Sequence, residues 1–267
     1  MITRWLDADW RTIVHQDNAL KLRVRRAFSM LNLPSPDRLF RLRYRAQAHE
    51  EWVSECLIRN RLAEPPYLAD AIKDRIAAIP RDQGILFATV HWGESTVGSA
   101  FLGAFGRPTC VMNSRFVESE AVPTALRRHY QSKYRAMNER LKPGLCVATE
   151  DGIRPFIRHL HKGGAVAMTV DIPDQTGSAV TEKWFDYQCR LSPGFRHLER
   201  RTNSVVIPYV AEYDQGRWCF RFAEDNEPVY DFFSRIIRQC PEKWWAADLF
   251  PMAVGFDMHS STVSDLS

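Results

Sequence analysis

His91 ends a run of apolar and β-favouring residues, Ile85-Leu-Phe-Ala-Thr-Val90, and is followed at once by Trp92-Gly93-Glu94-Ser95-Thr96. An imidazole beyond the end of a buried strand can take a proton from a weak nucleophile if a carboxylate fixes its tautomer. Carboxylates occur at comparable junctions: Glu150 and Asp151 after Leu145–Thr149, and Asp171 after Ala165–Val170. Arg115 follows the run Thr109–Met112 and offers a cation to a phosphate or a developing oxyanion. A histidine satisfied structurally by a neighbour, and an arginine in an ordinary ion pair, are the plain alternatives for both residues. A polar edge of mixed charge favours chemistry.

Other site types fit poorly. There is no G-x-x-x-x-G-K-[ST] loop, and Gly103-Ala-Phe-Gly106 is not a dinucleotide fingerprint. His159 and His161 stand two apart, on different sides of a helix, so they pair badly on a metal. Gly93-Glu-Ser95-Thr-Val-Gly98 approaches the G-x-S-x-G elbow, but its second glycine comes one residue late. A serine hydrolase or thioesterase using Ser95 remains the rival reading.

The elements that would position these groups can be read from periodicity. From Gly84 onward, apolar runs alternate with helical stretches near 94–104, 119–141, 151–161 and 193–202. This predicts an α/β fold with a mostly parallel central sheet flanked by helices. Val205–Ala211 and Arg217–Phe222 read as a hairpin through Asp214-Gln-Gly216. A last helix spans about 226–250, interrupted at Pro241. Residues 4–79 read as a helical layer broken at Leu33–Pro36 and Glu64–Pro66. The expected organisation is an N-terminal helical segment over 1–80, an α/β domain over 81–256, and a disordered tail over 257–267.

Composition bounds the setting. With 45% hydrophobic and 25% charged residues, the 267-residue chain is of ordinary globular type. Its six cysteines form no C-x-x-C, which fits a reducing cytoplasm. The polar start carries no signal-type apolar core, and no run is long enough to cross a bilayer. A cytoplasmic protein is expected, free or peripheral on the inner membrane face. The net charge of +4 is concentrated in Lys21, Arg23, Arg25, Arg26, Arg38, Arg41, Arg43 and Arg45, set against Asp37 alone. That cluster suits an acidic protein or an anionic membrane, or is simply a solvated face. No motif accompanies it that would indicate nucleic acid.

The stretch from Gly84 to Phe250 resembles the bacterial lipid A biosynthesis acyltransferase family, within the lysophospholipid acyltransferase superfamily. The likeness rests on His91-Trp-Gly after a strand, Arg115, and Leu160-His-Lys-Gly-Gly-Ala-Val-Ala-Met-Thr-Val-Asp171. It continues through Trp184-Phe185, Leu191-Ser-Pro-Gly194, Val206-Ile-Pro-Tyr-Val210 and Ile236–Trp245. The resemblance implies transfer of a fatty acyl group from an acyl carrier protein or coenzyme A thioester to a hydroxyl or amine. It implies no cofactor beyond that co-substrate, His91 as general base, and Arg115 in the substrate site; Trp92 and Thr96, beside His91, are further candidates to bind substrate.

Two departures stand out. The family spacing His-x4-Asp/Glu puts the acid five positions after the histidine, where this chain has Thr96. Either Glu94 or Asp171 would then serve His91, with Asp171 favoured and Glu94 lining the acceptor pocket. The family's apolar N-terminal segment also has no counterpart here, which admits a soluble or carrier-bound secondary metabolite as acceptor. A non-catalytic lipid-binding homologue is the alternative outside enzymology.

Overall fold

Ile85–Thr89 (β1) is buried at every residue, as a strand paired on both edges and covered on both faces must be. In the computed structural model, which describes residues 18–62, 70–120, 122–174 and 177–256, it lies near the middle of a six-stranded sheet. The other strands are Thr109–Asn113 (β2), Cys146–Ala148 (β3), Ala165–Thr169 (β4), Val205–Asp214 (β7) and Arg217–Phe222 (β8), in the order β3-β2-β4-β1-β7-β8. All pairings are parallel except β7 with β8. Gln215 and Gly216, both at positive φ, make the turn between those two. Thr89 is the register partner of Thr169, so β1 and β4 end level. The mostly parallel α/β sheet expected from the sequence is therefore present.

The helices are Asn18–Met30 (α1), Pro36–Ile58 (α2), Asp70–Ala78 (α3), Ser95–Gly98 (α4), Thr124–Leu141 (α5), Arg154–Leu160 (α6), Gly194–Thr202 (α7), Val229–Gln239 (α8) and Phe250–Ala253 (α9). The break between α1 and α2 falls at Leu33–Pro36, where proline ends one helix and opens the next. The expected helix over 94–104 is only one α-turn, continued as a 3-10 helix over Ser99–Phe105. Likewise the last helix ends at Gln239, and short 3-10 turns over Pro241–Lys243 and Ala247–Leu249 lead into α9. Residues 4–17, Glu64–Pro66 and the 257–267 tail, expected to be helical, a break and disordered respectively, lie outside the described residues.

By internal contact, the chain divides into two compact units. One comprises Met1–Ala48, Val170–Pro193 and Pro228–Ser267, as far as they are described; the other comprises His49–Thr169 and Gly194–Glu227. The second unit contains the six-stranded sheet. Ile85, Phe87, Ala165, Ala167, Ile207 and Tyr209 form the middle of its core.

The first unit is organised by aromatics around an antiparallel hairpin, Val180–Trp184 (β5) with Tyr187–Leu191 (β6), which the sequence pattern does not announce. Trp184 stacks on Phe185 at 5.4 Å and meets Trp244 edge-on at 5.2 Å. Phe250 closes the cluster against both tryptophans. Buried rings in such offset and edge-on arrangements contribute beyond their area. Trp184 and Phe185 are thus core residues of this unit.

Candidate active site

The carboxyl edge of a parallel sheet is where ligands bind in open α/β folds. His91 stands there, half-buried, two residues past β1. The turn that carries it is fastened to β7. Gly93, at φ 53°, bridges to Ala211, and the Glu94 N–H donates to the Ala211 carbonyl at 3.0 Å. A Cβ on Gly93 would meet that carbonyl at 3.1 Å, so glycine serves both the turn and the close approach. Trp92 is fully buried beneath the guanidinium of Arg221, 4.8 Å from its ring centre. Thr96 is half-buried, and its carbonyl accepts from the Ser99 hydroxyl at 2.6 Å.

Ser95 is 1% exposed. Its hydroxyl donates to the Trp92 carbonyl at 2.6 Å and accepts from the Ala211 N–H at 3.1 Å. A nucleophilic serine needs its hydroxyl presented to substrate and bonded to a base. Here the hydroxyl knots its own turn to β7, so the geometry speaks against the Ser95 hydrolase.

Glu94 does not face outward to line an acceptor pocket. It is 4% exposed, with Oε2 accepting from the Tyr213 N–H at 2.9 Å and Oε1 lying 2.7 Å from Nδ1 of His49. A carboxylate can only accept, which places a proton on Nδ1. His49 has no signal in the sequence that singles it out. It lies 45 positions from Glu94 on α2, and no local spacing links the two.

The next two residues of α2 face side chains of α5. Glu50 binds Lys133 of α5 at 2.7 Å, and Glu51 lies 2.9 Å from Nε2 of His129 on the same helix. Both glutamates and Lys133 are buried. Burial pushes the Glu50 carboxyl up against the pull of Lys133, and the charges of Glu51 and Glu94 push it further. Burial also works against the Lys133 ammonium, but Glu50 and Glu51 outweigh it and hold its pKa above the ordinary lysine value.

At the ends of β2 and β3, Arg115 is 52% exposed and pairs with Asp151 at 2.6 Å. Its N–H, with the Ser114 hydroxyl, donates to Glu150. These bonds outweigh a slight burial and hold the Glu150 carboxyl below the ordinary value. An ordinary ion pair is therefore what the geometry shows for Arg115.

Asp171, in the first unit, is 2% exposed and accepts from the Trp244 indole N–H at 3.1 Å. That bond joins the Leu160–Asp171 and Ile236–Trp245 segments, both of which carry the family resemblance. All six cysteines are free. Among the described residues, no cluster of histidine, cysteine or carboxylate side chains could hold a metal, and no helix is long and apolar enough to cross a membrane.

Within the second unit, His91 thus stands at the carboxyl edge of a parallel sheet whose strands β2 and β3 carry Arg115, Glu150 and Asp151 at the same edge. The sequence model of the bacterial lipid A biosynthesis acyltransferases matches residues 73–226, more than half of the chain, and the protein belongs to that family. It is accordingly a member of an acyl-transferring family of lipid biosynthesis. No curated protein matches the chain.

Proposed function

We propose that the protein transfers a fatty acyl group from a carrier-protein thioester to the hydroxyl of a lipid, with His91 as general base. The observation that carries this reading is the placement of His91 on a turn fixed to β7 at the sheet's carboxyl edge, within the span matched by the family. His91 takes the hydroxyl proton as the oxygen attacks the thioester carbonyl. The tetrahedral oxyanion then collapses, the C–S bond breaks, and the departing thiolate recovers the proton from the imidazolium.

Glu94 has both oxygens engaged by His49 and Tyr213, and the orienting role is left to Asp171, the carboxylate the sequence favours, for the Asp171→Asn variant to test. Arg115 is the proposed headgroup contact. An exposed pair such as Arg115–Asp151 is worth only about 0–1 kcal/mol, so a phosphate ester accepting from the guanidinium in its place meets little resistance.

The basic cluster supports a carrier-protein donor. Arg25 pairs with Asp37, Arg43 and Arg23 face Asp248, and Arg26 lies over Phe256. Arg38, Arg41 and Arg45 are exposed at i, i+3 and i+7 of α2, one helical face, and no ion pair joins them to a described carboxylate. An acidic protein surface fits such a stripe.

The variant series that tests the assignment is His91→Ala, Asp171→Asn and Glu94→Gln in a transfer assay with labelled acyl carrier protein. Loss of transfer in His91→Ala, and a deep loss in Asp171→Asn, are expected. Undiminished transfer by His91→Ala would remove the proposed base.

A further inference from the structure

His49 occupies an unusual position for a histidine whose side chain is 43% exposed. One ring nitrogen is bound to a carboxylate that is almost wholly buried, and that carboxylate belongs to the turn carrying His91. We propose that His49 is a positioning residue for His91, acting through Glu94. The inference rests on the reading of His91 as the base and adds a second element to the machinery that holds it.

Apart from the His49 bond, the turn at residues 93–95 is fastened through β7. The Glu94 N–H to Ala211, which forms the Gly93–Ala211 bridge, the Ala211 N–H to Ser95 and the Tyr213 N–H to Glu94 are all bonds to that strand. The Tyr209 hydroxyl adds a fourth, to the Ser95 carbonyl at 3.3 Å. Those bonds approach the turn from one side, and the bond from α2 to the Glu94 side chain holds it from a second direction.

The helix at the other end is anchored as well. Glu50, the next residue of α2, is hydrogen-bonded to Lys133 of α5, and Glu51 lies within ion-pair distance of His129 on the same helix. Three consecutive side chains of α2 thus reach three different partners, and His49 is the one aimed at the catalytic turn. The pair is not an ordinary surface ion pair, because the Glu94 carboxylate is shielded from water and depends on its donors.

Two substitutions separate positioning from mere presence. His49→Asn keeps an N–H donor near the place of Nδ1, whereas His49→Leu keeps bulk and removes the donor. The full-length protein is assayed for kcat and KM in acyl transfer. The His91 ring is tracked by NMR in histidine-labelled protein, its resonances identified by their loss in His91→Ala.

For His49→Leu we expect kcat to fall about ten- to a hundredfold, as a catalytic group displaced by a fraction of an ångström requires. KM should stay within about twofold, and the His91 resonances should move. His49→Asn should recover most of kcat and restore the resonances. Wild-type kcat and His91 resonances in His49→Leu would overturn the inference, as would a His49→Asn variant as impaired as His49→Leu.

If His49→Leu fails to fold, Glu94→Gln carries the test. It keeps an acceptor for the Tyr213 N–H and replaces the carboxylate that His49 binds. A fall in kcat together with moved His91 resonances supports the inference, and unchanged values overturn it. The NMR arm reads the reach of His49 to His91 even if His91→Ala shows that another group is the base, so the two failures are distinguishable.

Discussion

A hydroxyl that is both donor and acceptor within its own turn has a structural task, and Ser95 has that task. Replacing it by alanine strands the buried Ala211 N–H, and a loss of about 1–3 kcal/mol in unfolding free energy is expected from urea titration. Acyl transfer should remain readily measurable. Loss of a serine nucleophile would instead cost on the order of 10⁶ in kcat, so the two readings are far apart. Glu94 teaches a related lesson. Its distance of three positions from His91 was legible in the sequence, and so was the absence of an acid at Thr96. Its actual partner was not, because His49 and Glu94 meet only through the packing of α2 beside β7, and no periodicity encodes a contact across 45 residues. Arg115 was visible as a residue at the edge, while its pairing with Asp151 depends on β2 and β3 being neighbours in the sheet.

At the scale of elements, the legible parts were those with a strong pattern. β1 and β4 announced themselves as short apolar runs, and the β7–β8 turn through Gln215-Gly216 as a positive-φ pair. The β5–β6 hairpin is not legible because half of its strand residues are polar and its turn uses Phe185, at φ 52°, in place of glycine or asparagine. The 94–104 stretch reads as one helix in the sequence, but it tightens after Gly98 against β7. A Cβ at Gly98 would lie 2.5 Å from that of Ala211.

The α2–α5 clamp yields a prediction of its own. Lys133→Met leaves Glu50 and Glu51 buried without their cation and should cost about 3–5 kcal/mol. Adding Glu50→Met should return much of that loss, as urea titrations of the single and double variants would show. The pH dependence has a definite sign. Because Lys133 has a raised pKa in the folded protein, its contribution is present below its unfolded value of 10.5 and is lost as pH rises through the folded value. Alkaline titration should therefore destabilise the wild type more than Lys133→Met.

For the whole molecule, the question is what brings a donor to the sheet edge. Composition indicates a basic region, and the fold sets Arg38, Arg41 and Arg45 on one exposed face of α2, while Arg23, Arg25, Arg26 and Arg43 face partners within the first unit. Reversing those three charges to glutamate should raise KM for a carrier-protein donor about tenfold or more at low salt with kcat little changed, and the difference should shrink as salt is added. Salt-independent association would count against the stripe as the docking face.

In the proposed reaction the chain moves an acyl group to an acceptor hydroxyl and His91 takes the proton. Its most direct test is a single-turnover reaction of purified protein with labelled acyl carrier protein and a phosphorylated glycolipid acceptor. The label is partitioned between acylated lipid and free fatty acid. Label is expected in the lipid for the wild type and for Ser95→Ala, and none for His91→Ala. Label appearing as free fatty acid, with its release lost in Ser95→Ala and kept in His91→Ala, would contradict the proposed reaction.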